Sequence, residues 1–215
     1  MDPNIIEPAH KKGRLSQERI VHAVLSLIEA KPFDQLTVAE IMEEAGMAVG
    51  TFYRRFKTKE SVLPFVFQAY EDLFKDWADG FGEADAKNKG EEKKEEGAVD
   101  RDEALELIVG RTQQLFSRHA GLLRTVHLYN RLHPDMNATP SDRRSLADLI
   151  GAVLARDFTN PTTDDLIKGR MALLTMVSVM TEHHLYRNHS PANQASLRNR
   201  DVRDLLITML KSLKT

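Results

Sequence analysis

Two short apolar stripes between Leu36 and Leu63 form the strongest pattern in the chain. Val38, Ile41, Met42 and Ala45 recur at i, i+3, i+4 and i+7 and predict a short helix. Thr37 stands at its start, with Glu40 three residues on, the spacing of a capping box. Gly46 follows, a residue that takes positive φ without steric cost, and Val49, Phe52, Tyr53 and Phe56 restart the stripe on a second helix. The intervening turn is about three residues long, which is the grammar of a helix-turn-helix.

Helical spacing continues through the rest of the chain, with no alternating strand pattern of useful length. Ser16 precedes a broad apolar face of Ile20, Val21, Val24, Leu25, Leu27 and Ile28 that closes a three-helix unit, and Pro32 ends that helix. A long helix is predicted from Lys59 through Val66, Tyr70, Phe74 and Trp77, bent at Pro64 and stopped at Gly80 and Gly82. Residues 79–103 carry ten Asp or Glu against five Lys or Arg and read as an acidic, flexible linker. Further helices are predicted over Ala104–Arg118, Ala120–Leu132, Ser141–Arg156 and Asp164–Tyr186, with a last one ending near Lys214.

Composition narrows the class without naming it. The chain has 215 residues, 41% hydrophobic and 29% charged, ordinary for a soluble globule. Its longest nearly apolar run, Met171 to Met180, is too short to span a bilayer, so no membrane partner is expected. The absence of cysteine excludes disulfides and thiolate metal sites, which suits a cytoplasmic protein. Net charge is −2, yet Lys11, Lys12 and Arg14 cluster in an N-terminal arm and Arg54, Arg55, Lys57 and Lys59 cluster after the turn. A phosphate-facing patch can coexist with overall neutrality.

The second stripe assigns roles. Phe52 and Phe56 lie at its inward centre, leaving Gly50, Thr51, Arg54 and Arg55 outward and Val49 at the edge, as candidate base readers in a major groove. Gly50 would let the helix backbone approach the duplex, and Thr51 offers a hydroxyl and a methyl. Tyr53, Lys57 and Lys59 are candidate phosphate contacts, and Thr58 a cap for the next helix.

These residues resemble a known family. Ala45 to Leu63 is similar to the signature of TetR-type transcriptional regulators, A-G-V-x-x-G-T-L/F-Y-x-x-F-x-x-K-E-x-L-L, matching at Ala45, Gly46, Gly50, Thr51, Phe52, Tyr53, Phe56, Lys59, Glu60 and Leu63. Met47 and Val62 depart from it modestly. Ala48 replaces the Ser or Thr that often caps the reading helix, a loss of about 1 kcal/mol and of one hydroxyl contact to DNA. The expected DNA-binding set is Thr37, Ala48, Val49, Gly50, Thr51, Tyr53, Arg54, Arg55, Lys57 and Lys59.

The resemblance implies an all-α fold: an N-terminal three-helix helix-turn-helix DNA-binding domain (residues 13–75), the acidic linker, and a C-terminal helical effector-binding and dimerisation domain (residues 104–215). One helix-turn-helix reads only a short half-site, so two heads about 34–36 Å apart are needed. Leu174, Val177, Leu205, Leu206, Met209, Leu210 and Leu213, on the last two helices, are the expected homodimer interface; the helix around Met171 to Met180 is apolar on two sides and needs two partners. Phe116, His119, Leu123, His127, Tyr129, Met171 and Met180 are candidates for a pocket taking a small, largely apolar effector. The implied function is a repressor that binds a palindromic operator as a dimer and is released by a small molecule; a constitutive regulator or an activator is the alternative. No cofactor is expected. A helical metal enzyme is disfavoured, because His183 and His184 are adjacent on a helix and diverge by about 100°, and no P-loop, Gly-x-Ser-x-Gly or His-Glu-x-x-His is present.

Overall fold

Helix α1, Lys11–Ala30, lines up Ile20, Val24 and Ile28 as a buried edge. It begins before Ser16, so Lys11, Lys12 and Arg14 lie in a helix and not in an arm, as the good helix formers around them favour. The computed structural model describes residues 11–88, 101–132, 143–155, 160–186 and 197–213, and among these every regular element is helical. After Pro32 a single 3-10 turn, Phe33–Gln35, leads to α2 (Val38–Glu44) and α3 (Val49–Phe52).

The next helix opens with a 3-10 turn, Lys59–Val62, capped by Thr58 through reciprocal bonds with Ser61, and becomes α-helical as α4, Leu63–Asn88. Pro64 is therefore the second residue of an α-helix, where no amide donor is needed, and the predicted bend there gives way to a change of helix type. Gly80 and Gly82 do not stop α4. Each costs about 1 kcal/mol relative to alanine, a penalty the surrounding helix formers absorb. The predicted linker is thus helical over 79–88 and again from Arg101, where α5 (Arg101–Arg118) starts, while residues 89–100 fall outside the described part.

The remaining helices are α6 (Ala120–Leu132), α7 (Arg143–Leu154), α8 (Thr163–Met180), which continues as a π-helical turn Thr181–Leu185, and α9 (Asn199–Ser212). None of the described helices is long and apolar enough to cross a membrane. The dipeptides His133-Pro134 and Ser190-Pro191, and Pro140, whose prolines favour helix breaks, lie outside the described residues.

The chain separates into two units that do not follow chain order. The first takes, of the described residues, 11–72 and 119–132; the second takes 73–118 and everything from α7 onward. α6 belongs to the first, where it packs on α1. The Glu29 carboxylate accepts from the amides of Gly121 (2.8 Å) and Leu122 (3.2 Å), two of the donors a helix start leaves unsatisfied. Arg124 donates to the Ile28 carbonyl (3.2 Å), and Tyr129 meets the Phe33 ring edge-on at 5.5 Å.

In the second unit α7 lies along α8 with almost no space between backbones. A Cβ on Gly169 would stand 2.2 Å from the Ala147 carbonyl oxygen, so only glycine permits the approach. Thr162 and Asp165 form the capping box of α8. α9 turns Val202, Leu206 and Leu210 inward and packs on α5, with Lys211 bridging Asp102 (3.2 Å) and Glu106 (2.9 Å). His183, buried in the π-helical turn, places Nε2 2.9 Å from Asn199 Oδ1 at the start of α9.

Candidate nucleic-acid interface

The capping box predicted for α2 forms in full. Thr37 Oγ1 accepts from the Glu40 amide (3.2 Å) and the Glu40 carboxylate accepts from the Thr37 amide (2.8 Å). Lys31 adds an ion pair at 2.7 Å, and these bonds, Lys31 first, hold the Glu40 pKa down at about 2 from an ordinary 4.5. At the other end Gly46 takes φ 63°, with its amide on the Glu43 carbonyl and that of Met47 on the Met42 carbonyl, both at 2.9 Å. That double bond pattern is the Schellman motif, and it needs a left-handed residue where glycine stands. Arg19 of α1 donates to the Ala45 carbonyl at 2.6 Å and secures the same corner.

The turn delivers α3 with one face in and one face out. Phe52 and Phe56 are fully buried, 5.3 Å apart between ring centroids, beside Ile41, Met42 and Val66. Ala48, Val49, Gly50, Tyr53 and Arg54 are exposed, Thr51 is half-exposed, and Lys57 stands free in solvent just beyond. A Cβ on Gly50 would meet nothing within 4 Å, so this spot on the helix is bare backbone facing out. Arg54 donates to the Thr51 hydroxyl at 2.9 Å, which couples two candidate readers. Ala48 precedes α3 in extended conformation without a side-chain cap, as its methyl dictates.

Three placements differ from the sequence reading. The reading helix is shorter than its stripe: Tyr53 to Arg55 form a turn, so Val49 and Tyr53 lie outside the buried face. Arg55 is half-buried, with Nη1 3.4 Å from the Arg54 carbonyl and Nε buried without a hydrogen bond, and is less outward than its register suggested. Lys59, expected on a phosphate, instead donates to the carbonyls of Phe33 (3.0 Å), Asp34 (2.9 Å) and Leu36 (2.9 Å), with its ammonium 5.0 Å from the Phe33 ring centroid. An ammonium has three donors, and all three are spent inside the protein. The Thr37 hydroxyl is likewise committed first to its capping box.

The second unit holds a cavity of about 360 Å³. Phe74 and Trp77 of α4, Thr112, Leu115 and Phe116 of α5, Ala147 of α7, and Arg170, Leu173, Leu174 and Val177 of α8 line it. Of the predicted effector residues only Phe116 is among them. His119, just before α6, and Leu123, His127 and Tyr129 on it belong to the other unit, where Leu123 and Tyr129 are core, and burial raises the Tyr129 pKa. Met171 points to solvent and Met180 is buried outside the lining. Spacing within α6 could not reveal this, because the Glu29 cap that holds the helix joins residues 92 positions apart.

The predicted interface residues divide in the same way. Leu206 and Leu210 are buried inside the chain, whereas Leu174 is 69% and Leu205 60% exposed, joined on α8 by Met171 at 63% and by Ile167. Val177, Met209 and Leu213 are half-buried.

Among the described residues, a solvent-facing short helix set across a glycine turn in an all-helical unit is the arrangement of a helix-turn-helix DNA-binding domain. Residues 20–64 match the family model described as bacterial regulatory proteins, tetR family. Those residues therefore carry a TetR-type DNA-binding domain. Over 73 residues the chain is 30% identical to the HTH-type dhaKLM operon transcriptional activator DhaS of Lactococcus lactis; the match covers 34% of this chain and 39% of that relative's length. In fold it is similar to a TetR-family transcriptional regulator from Mesorhizobium loti, with TM-score 0.58 at 14% identity over 95% of this chain and 97% of the other. It is also similar to the regulator FadR of Bacillus subtilis solved with stearoyl-CoA, with TM-score 0.52 at 18% identity over 92% and 99%.

Proposed function

We propose that the chain is a cytoplasmic, ligand-responsive repressor that binds a near-palindromic operator as a homodimer and leaves it when a small molecule enters the second unit. The observation that carries the reading is the two-faced α3: Phe52 and Phe56 anchor it while Val49, Gly50, Thr51, Tyr53 and Arg54 face out. Thr51 and Arg54 would read base edges, and Tyr53 and Lys57 would hold phosphates and fix the register. Two copies are required to read two half-sites, and the exposed Ile167, Met171, Leu174 and Leu205 supply an apolar face for the second copy.

The cavity supports the sensing half of the reading, and the FadR structure solved with stearoyl-CoA provides a precedent for an acyl ligand on this fold. A ligand lowers DNA affinity only by preferring a conformation that binds DNA less well, and tenfold release requires about 1.4 kcal/mol of such preference. Activation is the second reading, favoured by the name of the Lactococcus relative, whose match covers 34% of this chain. The sign of regulation then depends on where the operator lies relative to a promoter. Selection of bound sequences from random duplex DNA, using the whole chain, tests the proposal. It should enrich a two-fold repeat with half-site centres about 10 base pairs apart or a multiple of that. Enrichment of no sequence would reject it.

A further inference from the structure

We infer that the cavity of the second unit takes an organic anion: an apolar body of about a dozen non-hydrogen atoms with a carboxylate held by Arg170. The inference rests on the sensor reading and adds the chemical class of the effector. Its size follows from the volume, since 360 Å³ shared at roughly 30 Å³ per atom-sized group leaves room for about twelve. Phe74, Trp77, Leu115, Phe116, Leu173 and Val177 give that body an aromatic and aliphatic wall. Against this wall the polar inventory is small and one-sided. Among the described residues that line it, Arg170 is the one charged side chain, and the Thr112 hydroxyl already donates its hydrogen bond to the Ile108 carbonyl at 2.8 Å.

Arg170 is also under-used. Its ion pair, Nη2 to Asp148 Oδ1, spans 3.6 Å, well beyond the roughly 2.7–2.9 Å of a charge-assisted hydrogen bond, and a guanidinium carries five donors. Asp148 Oδ1 is buried with no hydrogen bond. A ligand carboxylate could accept two parallel bonds from the guanidinium, whereas an alcohol could accept only one uncharged bond and an ammonium would be repelled. The apolar wall fixes the size of the ligand, and Arg170 fixes its charge.

Trp77 is the only tryptophan of the chain and lines the cavity, so its fluorescence reports occupancy directly. The probes are decanoate and phenylbutyrate, which separate an aliphatic from an aromatic body, with decanol and decyltrimethylammonium as neutral and cationic controls. At least one carboxylate should shift Trp77 emission and bind about tenfold or more tighter than decanol. Arg170→Ala should erase that preference while leaving decanol within about twofold, Arg170→Lys should restore part of it, and Asp148→Asn should strengthen the carboxylate. Arg170 is largely exposed, so these variants keep the fold. Equal binding of decanol and both carboxylates, an unchanged preference in Arg170→Ala, or an unmoved Trp77 with both carboxylates would overturn the inference. The sensor reading fails on a different result: a carboxylate that binds through Arg170 and leaves retention on the selected duplex unaltered. Release of that duplex by decanol as well as by decanoate would keep the sensor and remove the anion site.

Discussion

In the first unit the reading corner is packed shut: Phe33, Phe52, Phe56, Ile41, Met42 and Val66 are all buried, and the ends of α2 are closed by Thr37, Glu40, Gly46 and Arg19. In the second unit α4, α5, α7 and α8 leave about 360 Å³ unfilled, and α8 and α9 put Leu174 and Leu205 into water. A corner packed this closely has one arrangement and can hold a reading face still. A unit with a void and a bare apolar face has surface left to satisfy, and on the proposed reading a ligand and a second copy would add free energy there.

The sharpest break in this contrast is Phe52→Ala. Removing a fully buried ring should cost about 3–5 kcal/mol, unfold the reading corner and abolish duplex binding, while Trp77 emission in the second unit stays native. Loss of both signals together would show that the two units do not stand apart. A paired comparison on the second unit comes next. Leu206→Ala should destabilise the subunit by about 2–5 kcal/mol, whereas Leu174→Asp should leave its melting nearly unchanged and split the dimer in sedimentation. The reverse pattern would reassign the face that α9 presents.

Much of the first unit was legible because its signals are local. The stripe Val38 to Ala45, the capping box, the glycine turn and the aromatic pair all lie within a few residues of one another, and each formed as spacing required. The bonds of Lys59 were hidden for the opposite reason. The carbonyls it serves belong to residues 23 to 26 positions earlier, and nothing near Lys59 in sequence distinguishes a phosphate ligand from a lysine that closes a turn. The same limit displaced α6, whose apolar residues suited a pocket wall and a domain core equally well. Leu206 and Leu210 are another instance: a wide apolar stripe on α9 does not say which edge meets α5 and which meets solvent.

Lys59 yields a smaller effect that sharpens the account of the first unit. Lys59→Met removes three charge-assisted bonds and should cost about 1–3 kcal/mol of stability, with the salt slope of DNA binding unchanged when measured well below the melting point. A slope lower by about one phosphate with normal melting would return Lys59 to the DNA backbone. Acid titration should give the smallest change. Glu40 and Asp201 both sit near pKa 2, lowered by Lys31 with Thr37 and by Arg198 respectively. Because each folded value lies below the ordinary one, the stabilisation is complete above about pH 4.5 and is lost as pH falls toward 2. Glu40→Gln should flatten that pH dependence in the melting of the first unit, and an unchanged profile would remove Glu40 from it.

The central claim, that two copies of one reading helix address DNA together, is tested most directly by titrating the selected duplex and the same duplex with one half-site scrambled, with stoichiometry read by sedimentation. The account predicts two chains on the intact duplex and a loss of at least about a thousandfold, or 4 kcal/mol, when half the site is scrambled. One chain per duplex, with equal affinity for both, would contradict it.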